Sequence, residues 1–459
     1  MKDAEFFKEK ARKVQDEALD TLKGYVAINS VYDESTRSME NPFGAGVRNA
    51  LDYIASVGRK LGFHYDPCDH YATELSYGEG RLLDVYAHAD VVPVSKNWKT
   101  DPFTPTIIDD VMYARGCSDD KGPGTAALYG AKICMDEGLL DGVRIRLFFG
   151  GNEERDSLGL EHYFKVLKKG YPTYGFSPDA NYPLIYGEKG IYTYEVTYKL
   201  DDSRIPSFSF GQATNIVLDE TMLHLGDDKE IEKAFKDYLN DYPMIKGEMH
   251  DGIVHFKGKS SHGSVPQNGV NAGLHLLNFL GRLYNHSELC RIYNEYCIGD
   301  GKAFGGDFSS SYFDGTTYCV GIMNYDGKEL KLLVNCRIPE NITIEKVVDF
   351  VNQMTTPTSI KLLDGSKGIL VDPESEFVKT LLHVYQEQTG DLESKPLTIG
   401  GGTYARETRN SVAFGMEYPG VDTKMHQDGE FLRLKDFRQS IAIYAQAIAE
   451  IAELIRKGK

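Results

Sequence analysis

Long apolar runs are absent from this 459-residue chain. None approaches the roughly 20 residues that cross a bilayer as a helix, so a helical membrane protein is not expected. Basic residues are also in short supply. Against 68 Asp and Glu there are 51 Lys and Arg, for a formal charge of −17. Nucleic acid needs a basic stripe and an anionic membrane surface needs basic clusters, so neither partner is expected. Cysteine is scarce and unpatterned: seven residues, an odd number, with no CxxC pair. That argues against a zinc–thiolate site and fits the reduced thiols of a cytoplasmic protein. The opening MKDAEFFKEK puts acids where a signal peptide needs an apolar segment, which gives the same expectation. Tryptophan occurs once, as Trp98 in the loop NWKTDPF. Solenoid-period repeats, low-complexity segments and coiled-coil heptads are lacking too.

What is present is ordinary in bulk, at 41% hydrophobic and 26% charged residues. The length is too great for one compact core, so two domains are expected. Phe7, Ala11, Val14, Ala18 and Leu22 recur at helical spacing and predict an opening amphipathic helix. A second helix is expected over about Asn49–Leu61, stopped by Gly62. Strands at Leu82–Ala87, Val143–Phe149 and Tyr174–Phe176 then alternate with helices at Thr125–Met135 and Leu160–Leu167. This is the rhythm of an α/β sheet. After Lys189 the rhythm is lost. Residues 190–370 read as an inserted α+β domain, with strands near Ile191–Leu200, Ile253–Lys259 and Leu330–Arg337. Helices are expected there near Glu230–Leu239, Asn271–Tyr284 and Ile344–Met354. The first domain, residues 1–189, resumes over 371–459 with the strand Ser411–Gly415 and a final helix from about Lys435 to Arg456.

The chemistry gathers at strand ends. His88 and Asp90 close the first of these strands, two residues apart, so both face one way on an extended backbone. Asp119 and Asp120 follow in ARGCSDDKG, Glu153 and Glu154 in GGNEERDSLG, and Asp179 in SPDANYP. A surface histidine beside solvated acids would account for any one of these. Acids at three successive strand ends instead point to one site, because open α/β sheets bind ligands outside the carboxyl ends of their strands. With His426 in KMHQDGE, the candidate ligands are His88, Asp119, Glu154, Asp179 and His426. Two imidazoles and three carboxylates suit two divalent ions that share a bridging acid. Glu153, next to a ligand, is placed to take a proton from water. Asp90 is placed to orient the second nitrogen of His88.

HADVVP, ARGCSDDKG, GGNEERDSLG, FSPDANYPLIYGEKG, SSHGSVP and GGGTYAR occur in this order over nearly the whole chain. Together they resemble the metallopeptidase family of carboxypeptidase G, acetylornithine deacetylase and the aminoacylases. Within it they are most similar to the bacterial PepV-type dipeptidase branch, related to Xaa-His dipeptidases and carnosinases. The resemblance implies a two-domain α/β metallopeptidase whose catalytic domain is interrupted by an α+β lid. It implies His88 and Asp179 on a first metal, Glu154 and His426 on a second, and Asp119, not Asp120, as the bridge. It implies Glu153 as general base, and Asp90 in the catalytic site as the partner that orients His88. It implies His262 of SHGSVP as the group that stabilises the oxyanion. Asn215 of GQATN and Arg337 of NCRIP match regions where the family holds substrate. Zinc is the implied ion, with manganese or cobalt as alternatives.

The implied reaction is hydrolysis of a dipeptide's peptide bond. Removal of an acyl group from an amino acid would use the same ligands and is the alternative. A peptide-binding protein on an inactive hydrolase fold is the second alternative, and every ligand and Glu153 is present against it. The insertion is large beside the single small dimerisation domain of the family's dimers, so a monomer is expected, one chain supplying His262 to its own site. For Arg337 a surface salt bridge is the plainer role; its guanidinium fork also suits a substrate's terminal carboxylate. Lys121 and the Gly400–Gly401–Gly402 run read as structural. Asn181, Leu218 and Asn97 stand where the branch usually has an acid, a proline and a glycine. None of the three is a ligand.

Overall fold

The computed structural model describes residues 2–458. The chain divides into two compact units. One comprises the chain as far as Gly187, Leu370–Leu397 and Thr403 onward; the other comprises Glu188–Ile369 and Thr398–Gly402. The short return at Thr398–Gly402 interrupts the segment 371–459 and has no marker in the sequence beyond its glycines.

The first unit is built on a sheet whose central strands are parallel. In spatial order the sheet runs His64–Asp66, Ala72–Tyr77, Val143–Gly150, Arg81–His88, Tyr174–Ser177, Ser411–Ala413 and Ile185–Glu188; the four from Val143–Gly150 to Ser411–Ala413 are parallel and the flanking strands antiparallel. Arg81–His88 runs parallel to both neighbours, with Val85 opposite Leu147 on one side and Phe176 on the other. His88 lies opposite Gly150, so both strands end at the same edge. Helices cover the faces, which is why the central strands are buried along most of their length, Asp84 and Arg146 among them as a pair. The opening helix Ala4–Val26 starts on Asp3, whose carboxylate caps the Phe6 N–H at 3.0 Å, and buries Phe7, Ala11, Ala18 and Leu22. The helix Lys121–Asp136 packs against the last helix, Leu434–Arg456. A Cβ on Gly130 would lie 2.8 Å from the Ala445 nitrogen, so glycine sets how closely these two helices cross.

The second unit has a five-stranded antiparallel sheet in the order Phe208–Phe210, Thr317–Tyr325, Glu329–Ile338, Gly190–Lys199, Ser359–Ser366. Leu330, Leu332, Val334 and Cys336 are buried in a core with Leu276, Leu280, Ile292 and Val347 from the helices Ala272–Tyr284, Ser287–Tyr296 and Ile344–Thr355. A separate three-stranded sheet, Glu220–His224, Ile253–Lys257 and Lys246–His250, carries the helix Lys229–Asp241. The expected helix Leu160–Leu167 forms only a single turn, Leu158–Glu161, which then widens to a π-helical turn at His162–Val166. Among the described residues no helix is long and apolar enough to cross a membrane.

Candidate active site

Three strand ends and two loops converge at the carboxyl edge of the first unit's sheet. Arg81–His88 delivers His88, whose Nε2 lies 2.9 Å from Asp119 Oδ1 and 3.6 Å from Asp179 Oδ2. Asp179 follows the strand Tyr174–Ser177, and Asp119 sits in the turn before the helix Lys121–Asp136. The other oxygen of Asp119, Oδ2, lies 2.8 Å from His426 Nε2, and Glu154 Oε2 is 3.0 Å from the same nitrogen. Asp119 thus gives one oxygen to each imidazole. His88, Asp119 and Glu154 present donor atoms within 4.8 Å of one another, and so do His88, Asp120 and Asp179.

The electrostatics are those of acids crowded beyond the charge that two histidines can balance. Burial opposes charge on His88, but hydrogen bonds to Asp119, Asp179 and Asp90 outweigh it and raise its pKa. Burial likewise opposes charge on His426, and Asp119 and Glu154 overcome it, lifting that pKa to about 12. Asp119 is held below the ordinary carboxylate range: burial works against its ionisation, and the two imidazoles prevail. Glu154 is pushed up to about 7 by burial and by Asp119. Burial also raises Asp179 and Glu153, and neighbouring acids add to both. A cluster that strains to stay ionised in this way is relieved by cations.

Asp90 faces His88 and the turn beyond the neighbouring strand at once. The nitrogen Nδ1 of His88 is met at 3.0 Å by the backbone carbonyl of Asp90, while the carboxylate stands 3.6 Å away. That carboxylate also accepts the N–H groups of Glu153 at 3.0 Å and Glu154 at 3.1 Å. The reason is local. The Ala89 N–H bonds to the Gly150 carbonyl at 2.7 Å, which keeps the two strand ends together and aims Asp90 into the turn beyond Gly150.

In the second unit four of the relevant residues come together around Gly263. The Gly263 N–H donates to the Asn215 carbonyl at 2.7 Å, and a Cβ there would lie 2.9 Å from Asn335 Oδ1. His262 Nδ1 is 2.7 Å from Ser264 Oγ. Arg337, buried, donates through Nε to Asn335 Oδ1 at 2.7 Å and through Nη1 to the Gly400 carbonyl at 3.1 Å. Arg337 is therefore not the surface residue that a salt bridge would need. Asn335 shares the face of Arg337, as two-residue spacing dictates, but the sequence alone assigned it no role. Sequence reasoning also passed over Asp120, which is fully buried and accepts the His88 N–H through Oδ2 at 3.1 Å.

Comparison with known proteins agrees with this architecture. The family described as Peptidase family M20/M25/M40 matches residues 85–450. A protein of Staphylococcus haemolyticus (strain JCSC1435) named "putative dipeptidase" is 35% identical over 465 residues, covering 96% of this chain and 98% of its own. Among solved structures, human carnosine dipeptidase 1 superposes with a TM-score of 0.56 at 15% identity, covering 98% of this chain and 100% of its own. The Bacillus subtilis YXEP protein, described as a dinuclear metal binding peptidase, superposes with a TM-score of 0.52 at 8% identity, covering 96% and 99%. At these identities the two structures establish a common fold.

Proposed function

This chain belongs to peptidase family M20/M25/M40, and on that footing we propose that it is a PepV-type dipeptidase, a monomer that hydrolyses dipeptides bearing a free C-terminal carboxylate with two divalent ions. The observation that carries the reading is the division of Asp119 between His88 and His426, at 2.9 and 2.8 Å. Two adjacent cations share a carboxylate in this manner. The surrounding donors are imidazole nitrogens and carboxylate oxygens, a set that fits zinc and accommodates manganese or cobalt.

His88 and Asp179 would hold one ion, Glu154 and His426 the other, and Asp119 both. Bound there, the ions supply Lewis acidity toward a carbonyl and lower the pKa of water. Glu153 accepts a proton as the peptide carbonyl is attacked and returns it to the leaving amine. Asp90 fixes the backbone of Glu153 and Glu154 together, so base and ligand keep one relative position. His262, its ring set by Ser264, donates a hydrogen bond to the developing oxyanion. Arg337, braced by Asn335 and Gly400, pairs with the substrate carboxylate, and Asn215 helps hold the substrate.

A panel of dipeptides set against N-acetyl and N-succinyl amino acids tests the reading. Dipeptides are expected to be cleaved and acyl amino acids spared. The reverse preference would make the protein an amidohydrolase, and binding of peptides without turnover would make it a non-catalytic receptor.

A further inference from the structure

One buried ion pair lies beside the ligands without being one of them. Glu430 and Arg115 are both buried, with Oε2 of the acid 2.6 Å from Nη1 of the guanidinium. A short antiparallel ladder brings them together. Val111–Tyr113 pairs with Phe431–Arg433, Tyr113 opposite Phe431, so the residues just beyond one strand meet the residue just before the other. The second oxygen of Glu430, Oε1, accepts the N–H groups of Ser118 at 2.9 Å and Asp119 at 3.3 Å. Arg115 Nη2 reaches the carbonyl of Gln427, the residue after His426, at 3.4 Å, and its guanidinium lies 5.3 Å over the Trp98 ring. The loop that carries His426 is closed at its base by the Phe431 N–H on the Thr423 carbonyl at 3.0 Å. One carboxylate therefore holds the backbone of Asp119, and its partner guanidinium holds the backbone beside His426.

We infer that Glu430 and Arg115 are positioning residues, a buried clamp that fixes the spacing of Asp119 and His426 and so sets how tightly the metal they share is bound. The inference rests on the reading of those two residues as ligands. A pair that merely stabilises the fold is the rival account. It is the weaker one on physical grounds, because the cost of taking two charges out of water offsets much of their attraction. Groups that orient ligands without touching the metal typically govern affinity by about 10–100-fold.

The test uses the full chain and zinc as probe. Zinc affinities are read by competition with a chromogenic chelator, and thermal melting of the metal-stripped protein is read in parallel. His426→Ala identifies the zinc that depends on His426. Glu430→Gln, nearly the same shape, should weaken that zinc by about 10–100-fold. Arg115→Lys keeps the charge, loses the Gln427 contact, and should weaken it less. Saturating zinc should restore kcat in both with KM unchanged. Unaltered zinc affinity in a folded variant would overturn the clamp, as would a loss that simply follows the drop in metal-stripped melting temperature. If Glu430→Gln does not fold, Arg115→Lys decides by the same criteria. If the unmodified protein binds no zinc, or His426→Ala binds it as well as the unmodified protein does, the ligand reading itself fails and the clamp fails with it.

Discussion

Asp90→Asn is the substitution for which the structure gives the most definite expectation. The carboxylate of Asp90 accepts two backbone N–H groups, from Glu153 at 3.0 Å and Glu154 at 3.1 Å. Each is a hydrogen bond to a charged acceptor, and such a bond contributes about 1.5–3 kcal/mol. Asparagine keeps one acceptor oxygen but turns an NH₂ toward the other N–H, so one of the two bonds is lost. Expressed in the reaction barrier, that loss is roughly 10–150-fold in kcat/KM. The Asp90 backbone carbonyl, which meets His88 Nδ1 at 3.0 Å, is untouched by the change. With the metal sites kept saturated, turnover should therefore fall. The assay is steady-state kinetics on a dipeptide, with metal content measured on the same sample. A kcat/KM within about twofold of the unmodified enzyme would refute the reasoning. So would a variant that loses metal and recovers fully in excess metal, since the carboxylate would then be acting through His88.

Glu153→Gln should lower kcat by about 10²–10⁴-fold with metal content intact, because a base that is not a ligand can lose its proton affinity without releasing an ion; metal analysis beside kinetics checks it. C-terminal amidation of a dipeptide should reduce kcat/KM by roughly 10–100-fold, the worth of one hydrogen-bonded charge, and Arg337→Lys should narrow the gap between acid and amide. Equal cleavage of the two by the unmodified enzyme would remove Arg337 from the substrate site. A stability effect is expected at His275, whose pKa burial lowers from 6.5 to about 4. Between those values the unfolded chain binds a proton that the folded one does not. Its contribution is therefore complete above about pH 6.5 and is lost as pH falls toward 4, by up to about 3 kcal/mol. Urea midpoints at pH 7 and pH 4.5 should fall less in His275→Gln than in the unmodified protein.

The parts of the molecule that announced themselves in the sequence are those where burial is uniform. Leu82–Ala87 and Val143–Phe149 read as strands because helices cover both their faces, and His88 and Glu153 stand out because they interrupt or follow such runs. Ala72–Tyr77 was not read, since its buried Thr73, Glu74 and Ser76 break the apolar pattern. Glu74 is tolerated inside because Tyr163 donates to it at 2.6 Å and Lys169 at 3.0 Å, partners that no local window contains. Ser359–Ser366 lacks a buried face to reveal it and forms by pairing with Gly190–Lys199. The same logic divides the site. His88, Asp119, Glu154, Asp179 and His426 are legible as a set of donor types at strand ends and in one loop. Glu430 is not, because in QDGEF it resembles a solvated loop acid, and its burial depends on Arg115, 315 residues earlier.

Dipeptide hydrolysis by this chain should follow metal occupancy. Protein stripped by a chelator and titrated with zinc, manganese or cobalt should show no hydrolysis when empty and should regain it as occupancy rises to two ions per chain. Full dipeptide turnover in the stripped protein, or two ions bound with no dipeptide cleaved, would contradict it.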